Sequence, residues 1–185
     1  METIVLKFGG TSVGTTDRIS AVADLIQAAS KEAFPVVVVS AMSGETNRLI
    51  DLAQSFGSEP NKREFDALVS TGEKVSASLV AIALNHLGLK AKSLSAAQFG
   101  MKTTSHFSRA KILDMNNDIL FQTIEEGYIP IITGFQGITA DGDTTTMGRG
   151  GSDTTAVAIA ASIKAKRCDI YTCLLYTSPS PRDVE

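Results

Sequence analysis

Short apolar runs alternate with amphipathic stretches along most of the chain, and their spacing predicts strands alternating with helices. Thr3 to Phe8 reads as a strand, either alternating or buried on both faces. Ile19, Val22, Ala23, Ile26 and Ala33 follow at helical spacing, with Asp17 as the expected N-cap. Pro35 stops that pattern. Val36 to Val39 then reads as a strand buried on both faces, the mark of a parallel sheet. Thr46 is the expected cap of a second helix, with Leu49, Ile50 and Ala53 inward. The strongest helical pattern comes next, with Phe65, Leu68, Val69, Gly72, Val75, Leu79, Ile82 and Ala83 in phase as far as Gly88. Ala91 to Leu94 is a short strand.

Phe99 to Thr104 and Ala110 to Met115 predict an antiparallel hairpin. A short helix is expected from Asn116 or Asn117 to Gly127. Ile129 to Thr133 is another buried strand, and Asp141-Gly142 signals a hairpin turn between Ile138 and Thr146. Gly148 to Ser152 leads into an alanine-rich helix, Asp153 to Ala165, and Cys168 to Thr172 is a last strand. The fold class is α/β: a largely parallel sheet with helices on both faces, interrupted by β-hairpins.

Composition narrows the function classes. A chain of 185 residues with 43% hydrophobic and 20% charged residues is one domain, or one and a fraction, of ordinary globular character. No stretch is expected to reach the length of a membrane span, and Met1-Glu2-Thr3 running into a strand predicts no signal peptide. A net charge of −3 argues against nucleic acid as a partner. Cys168 and Cys173, with His86 and His106, lack the spacing of a metal site. They read as reduced thiols and surface histidines in a cytoplasmic protein, with no metal-ligand set.

Four segments could carry chemistry, each at the C-terminal end of a predicted strand or at a helix start or interior. Lys7-Phe8-Gly9-Gly10 is either a tight turn or a loop whose backbone N–H groups and lysine meet a phosphate. Ser40 to Asn47 is either an ordinary βα loop or a ring of hydroxyl and N–H groups around a small polar ligand. In Ser70-Thr71-Gly72-Glu73-Lys74, a mid-helix glycine costs about 1 kcal/mol, so something approaches the backbone closely there: a ligand or a packed neighbour. Glu73 lies beside the apolar stripe, and a solvated Glu-Lys pair is its plain alternative. Met147 to Asp153 places an arginine between glycines before a helix. That composition favours an anion site over a simple turn, with Arg149 as a planar fork for a carboxylate.

The octapeptide Lys7-Phe8-Gly9-Gly10-Thr11-Ser12-Val13-Gly14 and the Gly148–Asp153 segment, with Thr46 and Ser70–Glu73 in support, resemble aspartokinases of the amino-acid kinase family. The match runs in order from Thr3 to about Thr172. The resemblance implies an amino-acid kinase, or carbamate-kinase-like, fold. It implies transfer of phosphate from ATP, with Mg²⁺, to the side-chain carboxylate of L-aspartate, a first step towards lysine, threonine and methionine. Lys7 would hold the phosphates, with Phe8, Gly9 and Gly10 in the nucleotide loop. Ser40, Thr46, Glu73, Arg149 and Ser152 would surround the amino acid, Arg149 on its α-carboxylate and Glu73 on its ammonium. Asp153 would orient Lys7 or a magnesium ion. The full-length parent is expected to be a homo-oligomer.

The resemblance stops at Thr172. Residues 1–172 read as an incomplete catalytic domain, the aspartate-binding lobe plus the start of the nucleotide lobe. Residues 173–185 read as a tail foreign to the family, of the kind produced by translated adapter sequence. Two other readings stay open: a related kinase acting on glutamate, acetylglutamate or uridylate, and a fragment that binds aspartate without transferring phosphate.

Overall fold

The structure, a computed structural model, describes residues 2–172. The sequence-based expectations for residues 173–185 lie outside the described residues.

Side-chain alternation in the first strand sets the architecture. In β1 (Thr3–Phe8), Ile4, Leu6 and Phe8 enter one core cluster and Val5 enters another, so the strand is buried on both faces. The chain returns through α1 (Thr16–Ala29) to β2 (Phe34–Val39), parallel to β1. Next come α2 (Glu45–Gln54), α3 (Lys62–Val69), α4 (Thr71–His86) and β3 (Ala91–Leu94). After α5 (Ala96–Phe99), β4 (Met101–Thr103), β5 (Ile112–Met115) and α6 (Asp118–Glu125), the chain re-enters the sheet as β6 (Ile129–Thr133). β7 (Gln136–Ile138), β8 (Thr144–Thr146), α7 (Gly151–Ser162) and β9 (Cys168–Tyr171) complete it.

The main sheet is five-stranded and parallel, in the order β3-β6-β2-β1-β9. Helices α1 and α4 cover the face carrying Ile4, Leu6, Val37, Val39 and Ile131, while α5, α6 and α7 cover the face carrying Val5, Val36, Val38 and Ile132. The predicted hairpins are not separate excursions. β4 joins β7 edge to edge, giving a second sheet in the order β5-β4-β7-β8. Gly137 permits the junction, since a Cβ there would stand 2.2 Å from Thr103 Cγ2.

Several boundaries differ from the sequence reading. Thr15, not Asp17, caps α1: its extended backbone lets Oγ1 accept from the Arg18 N–H at 3.3 Å, and Asp17 lies in the first turn, where its charge suits the helix dipole. Pro35 belongs to β2 rather than preceding it. Phe34 donates its N–H to Glu2, which turns the proline nitrogen towards β6, and β6 pairs with β2 only from Val37. Gly44 at φ +82, not Thr46, is the cap of α2. The long helix is broken at Ser70, whose carbonyl accepts Gln136 Nε2 at 2.9 Å, a side chain inserted into the ladder. Phe99 ends a helix instead of starting a strand, because Ser95 and Gln98 form a capping box and Gly100 turns out at φ +79. Helix α7 starts at Gly151 and ends at Ser162, so Ser152 and Asp153 occupy its first turn and do not cap it. One stretch, Lys62–His86, does reach membrane-span length and apolarity, contrary to expectation; half of its apolar 18-residue window is buried in the fold, and Ser70 interrupts the stretch.

Candidate active site

The C-terminal ends of β1, β2 and β6 open on one side of the sheet, where parallel strands leave a crevice for ligands. A cavity of about 600 Å³ lies there. Lys7, Gly10, Ser40–Gly44, Thr46, Glu73 and Gly148–Asp153 line it together, so all four segments singled out in the sequence meet at one place.

Period-two alternation explains Lys7. As an odd-numbered residue of β1 it shares the face of Val5, the side covered by α7. Its side chain is only 8% exposed, and Nζ lies 2.6 Å from Asp153 Oδ1 in the first turn of α7. The contact is an ion pair without hydrogen-bond alignment, since Asp153 Oδ1 has no hydrogen-bond partner among the described residues.

The rest of the opening loop is committed to the fold more than to the cavity. The Phe8 ring is fully buried and stacks on Tyr171, with centroids 4.9 Å apart, and its carbonyl accepts the Ser40 N–H, so the residue serves the fold. Gly9 donates its N–H to the Tyr171 carbonyl at 2.9 Å, which removes that group as a free phosphate donor. The hydroxyls of Thr11 and Ser12 bond the carbonyls of Thr172 and Tyr171. Gly10 does line the cavity. A Cβ on it would meet the Ala41 carbonyl at 2.8 Å, so the bare α-carbon is what lets the first two loops touch.

Glu73 departs most from its plain sequence reading. It is 2% exposed rather than solvated: Oε1 accepts the Ala41 N–H at 3.2 Å and Oε2 has no partner among the described residues. Burial pushes its carboxyl from the ordinary 4.5 up to about 7, against the lowering effect of backbone hydrogen bonds. Between the unfolded and folded values the native state holds more protons, so this contribution to stability is full below about pH 4.5 and is lost as pH rises through about 7. The loss is on the order of 3 kcal/mol for a shift of this size. Glu73→Gln should therefore raise the melting temperature of the ligand-free protein at pH 8 and leave it little changed at pH 4.5. Equal melting shifts at both pH values would contradict a buried titrating carboxyl.

Gly72 is explained by packing: a Cβ would stand 2.9 Å from Ala41 Cβ, so the helix and the second loop touch at that point. Gly72→Ala should lower thermal stability despite better helix propensity. Overpacking against a rigid neighbour costs typically about 1–3 kcal/mol, against a propensity gain of about 1 kcal/mol. A rise in melting temperature would mean the loop yields freely.

Around α7, Gly148 and Gly150 adopt φ +75 and +76, which only glycine takes at little cost, and they carry the exposed Arg149 between them. Gly134 lets α7 approach β6, since a Cβ there would lie 2.8 Å from Ser152 Oγ. Ser40 is anchored on both sides, donating its N–H to Phe8 at 3.0 Å and accepting Ser76 Oγ at 2.6 Å.

Two contributors went unnoticed in the sequence. Phe135 lines the cavity at φ +71, directly after β6, and the rule that marked the other strand ends could have found it. Asp66, in α3, is a charged residue at a fully buried position.

A parallel sheet with a buried lysine, a helix N-terminus and glycine loops at its C-terminal edge has the elements of an anion site. The chain belongs to the amino acid kinase family, whose model matches residues 2–173. Within that family it is 49% identical over 173 residues to the aspartokinase of Geobacillus stearothermophilus, covering 93% of this chain and 42% of that one. Among solved structures, aspartate kinase from Synechocystis superposes with a TM-score of 0.77 at 46% identity, over 91% of this chain and 28% of that one. E. coli aspartokinase III in complex with aspartate and ADP superposes with a TM-score of 0.84 at 28% identity, over 92% of this chain and 49% of that one. The chain thus spans about two fifths of the length of curated relatives such as the first.

Proposed function

We propose that this chain supplies the amino-acid site and the phosphate-binding lysine of an aspartate kinase, which converts L-aspartate and ATP to 4-phospho-L-aspartate and ADP. The observation that carries this reading is the meeting in one cavity of Glu73, Arg149 and Lys7. A buried carboxyl with one unpartnered oxygen suits an ammonium, a guanidinium suits an α-carboxylate, and a buried lysine suits phosphates. The solved relative that holds aspartate and ADP together supports it.

In this scheme a side-chain oxygen of aspartate attacks the γ-phosphorus, the bond to the bridging oxygen breaks, and ADP leaves with that electron pair. No general base is needed, because a carboxylate is already ionised at neutral pH. Catalysis is then positioning and charge stabilisation. Lys7, held by Asp153 before the nucleotide arrives, offsets charge on the transferring group. The N-terminus of α7 adds its dipole. Thr46 and Ser152, which line the cavity, would bond the amino acid, and Ser40 would contribute through the loop that it anchors. Asp153, on the cavity wall beside Lys7, would hold Mg²⁺ that arrives on the phosphates. Bound there, it would neutralise charge developing between the β- and γ-phosphates.

The direct test is calorimetry of the 185-residue chain with L-aspartate, L-glutamate and N-acetyl-L-glutamate, beside ADP release by a full-length protein carrying residues 1–172. Selective binding and turnover of L-aspartate are expected. Preference for another acceptor would replace the substrate. Binding by the chain with no turnover in the full-length protein would favour an aspartate-binding fragment, a reading that the chain's two-fifths coverage of its relatives keeps in view.

A further inference from the structure

Asp66 is a fully buried carboxylate that the proposed reaction does not use. It projects from α3 and accepts four hydrogen bonds from two residues far away in the sequence. Oδ2 takes the main-chain N–H of Ser108 at 2.8 Å and that of Thr146 at 2.7 Å. Oδ1 takes the hydroxyls of the same two residues, each at 3.0 Å. All four donors are neutral.

What those residues hold is the cavity wall. Ser108 and Thr146 both line it, and Met147-Gly148-Arg149 follows Thr146 directly. The Ser108 carbonyl abuts Gly148, 3.3 Å from where a Cβ would stand. Ser108 itself sits at φ +66, a backbone state that a non-glycine residue keeps only when its neighbours impose it. Asp66 imposes it through two bonds, one to the backbone and one to the side chain.

We propose that Asp66 is a positioning residue: by clamping Ser108 against Thr146 it gives the loop carrying Arg149 a single shape. This rests on the reading of Arg149 as the carboxylate ligand, given under Proposed function. The role is geometric rather than one of charge. Asparagine could keep all four bonds, its oxygen accepting the two N–H groups and its amide donating to hydroxyls that rotate to accept. Alanine takes the acceptor from all four donors, the two on Thr146 buried and the two on Ser108 partly so.

The test compares Asp66→Asn, Asp66→Ala and Thr146→Val by amide hydrogen exchange of the ligand-free chain and by calorimetry with L-aspartate. Asp66→Ala should speed exchange of amides 146–151 by about tenfold or more while β2 amides stay protected. It should weaken L-aspartate binding about tenfold with Arg149 present and add no loss in an Arg149→Ala background, the signature of two coupled residues. Asp66→Asn should restore both readouts. Should Asp66→Ala fail to fold, Thr146→Val, which removes one clamp hydroxyl at constant shape, should show the same local exchange pattern at smaller amplitude. Exchange that rises evenly across β2 and the loop, or an asparagine variant as damaged as alanine, would overturn the proposal. If the wild-type chain binds no L-aspartate yet the exchange pattern holds, the substrate reading fails and the clamp stands.

Discussion

Lys7→Ala in a full-length protein carrying residues 1–172 should lower kcat for aspartate phosphorylation by about 10²–10³ and leave the KM for aspartate little changed. The lysine ammonium is already in place before substrate arrives: its side chain is nearly enclosed, and Asp153 holds it at 2.6 Å. A preorganised charge of this kind needs no rearrangement as the phosphoryl group moves, so its effect falls on the rate rather than on aspartate affinity. The variant also leaves Asp153 Oδ1 buried without its cation, which adds a local disturbance at the first turn of α7. Steady-state kinetics with unchanged circular dichroism is the measurement. A kcat near that of the parent would remove Lys7 from the mechanism.

Arg149→Ala should act on the other substrate, raising the aspartate KM with ATP affinity nearly intact. A charge-assisted hydrogen bond is worth about 1.5–3 kcal/mol, or roughly ten- to hundredfold in affinity. Arg149 is exposed on a loop between two left-handed glycines and forms no ion pair with a described residue, so its loss should change the unfolding free energy by no more than about 0.5 kcal/mol. That separation of binding from folding makes the variant informative. Arg149→Lys should recover only part of the affinity, because an ammonium cannot match a carboxylate in two parallel bonds. Equal weakening of aspartate and ATP would make Arg149 a phosphate ligand instead.

Much of the site was legible because the four segments obey local rules. Gly9 and Gly10 follow a strand, Gly148 and Gly150 flank an arginine, and both patterns mark strand ends and helix starts whatever the rest of the chain does. Glu73 was legible only as a candidate. Helical spacing put it near the apolar stripe but could not say whether that edge was wet. The answer came from Ala41, which sits against Gly72 and donates its N–H to the carboxyl. Phe8 and Gly9 point the other way. Their place in the opening octapeptide drew attention, yet the ring packs on Tyr171 and the glycine N–H bonds its carbonyl, contacts made across the whole length of the chain.

The sequence by itself determined the elements and the class of fold, since periods of two and of 3.6 residues report which face of a segment is buried. Val36 to Val39 and Ile129 to Ile132 could be little else than interior parallel strands. It also marked residues whose chemistry suits a phosphate or a carboxylate. Tertiary structure alone decided how the two hairpins join through β4 and β7, and that the long helix breaks where Gln136 reaches the Ser70 carbonyl. It alone decided that Asp66 clamps residues 42 and 80 positions away. Such contacts depend on register and on the closure of one sheet against another. A hydroxyl or carboxylate carries no local sign of the partner that folding will bring to it.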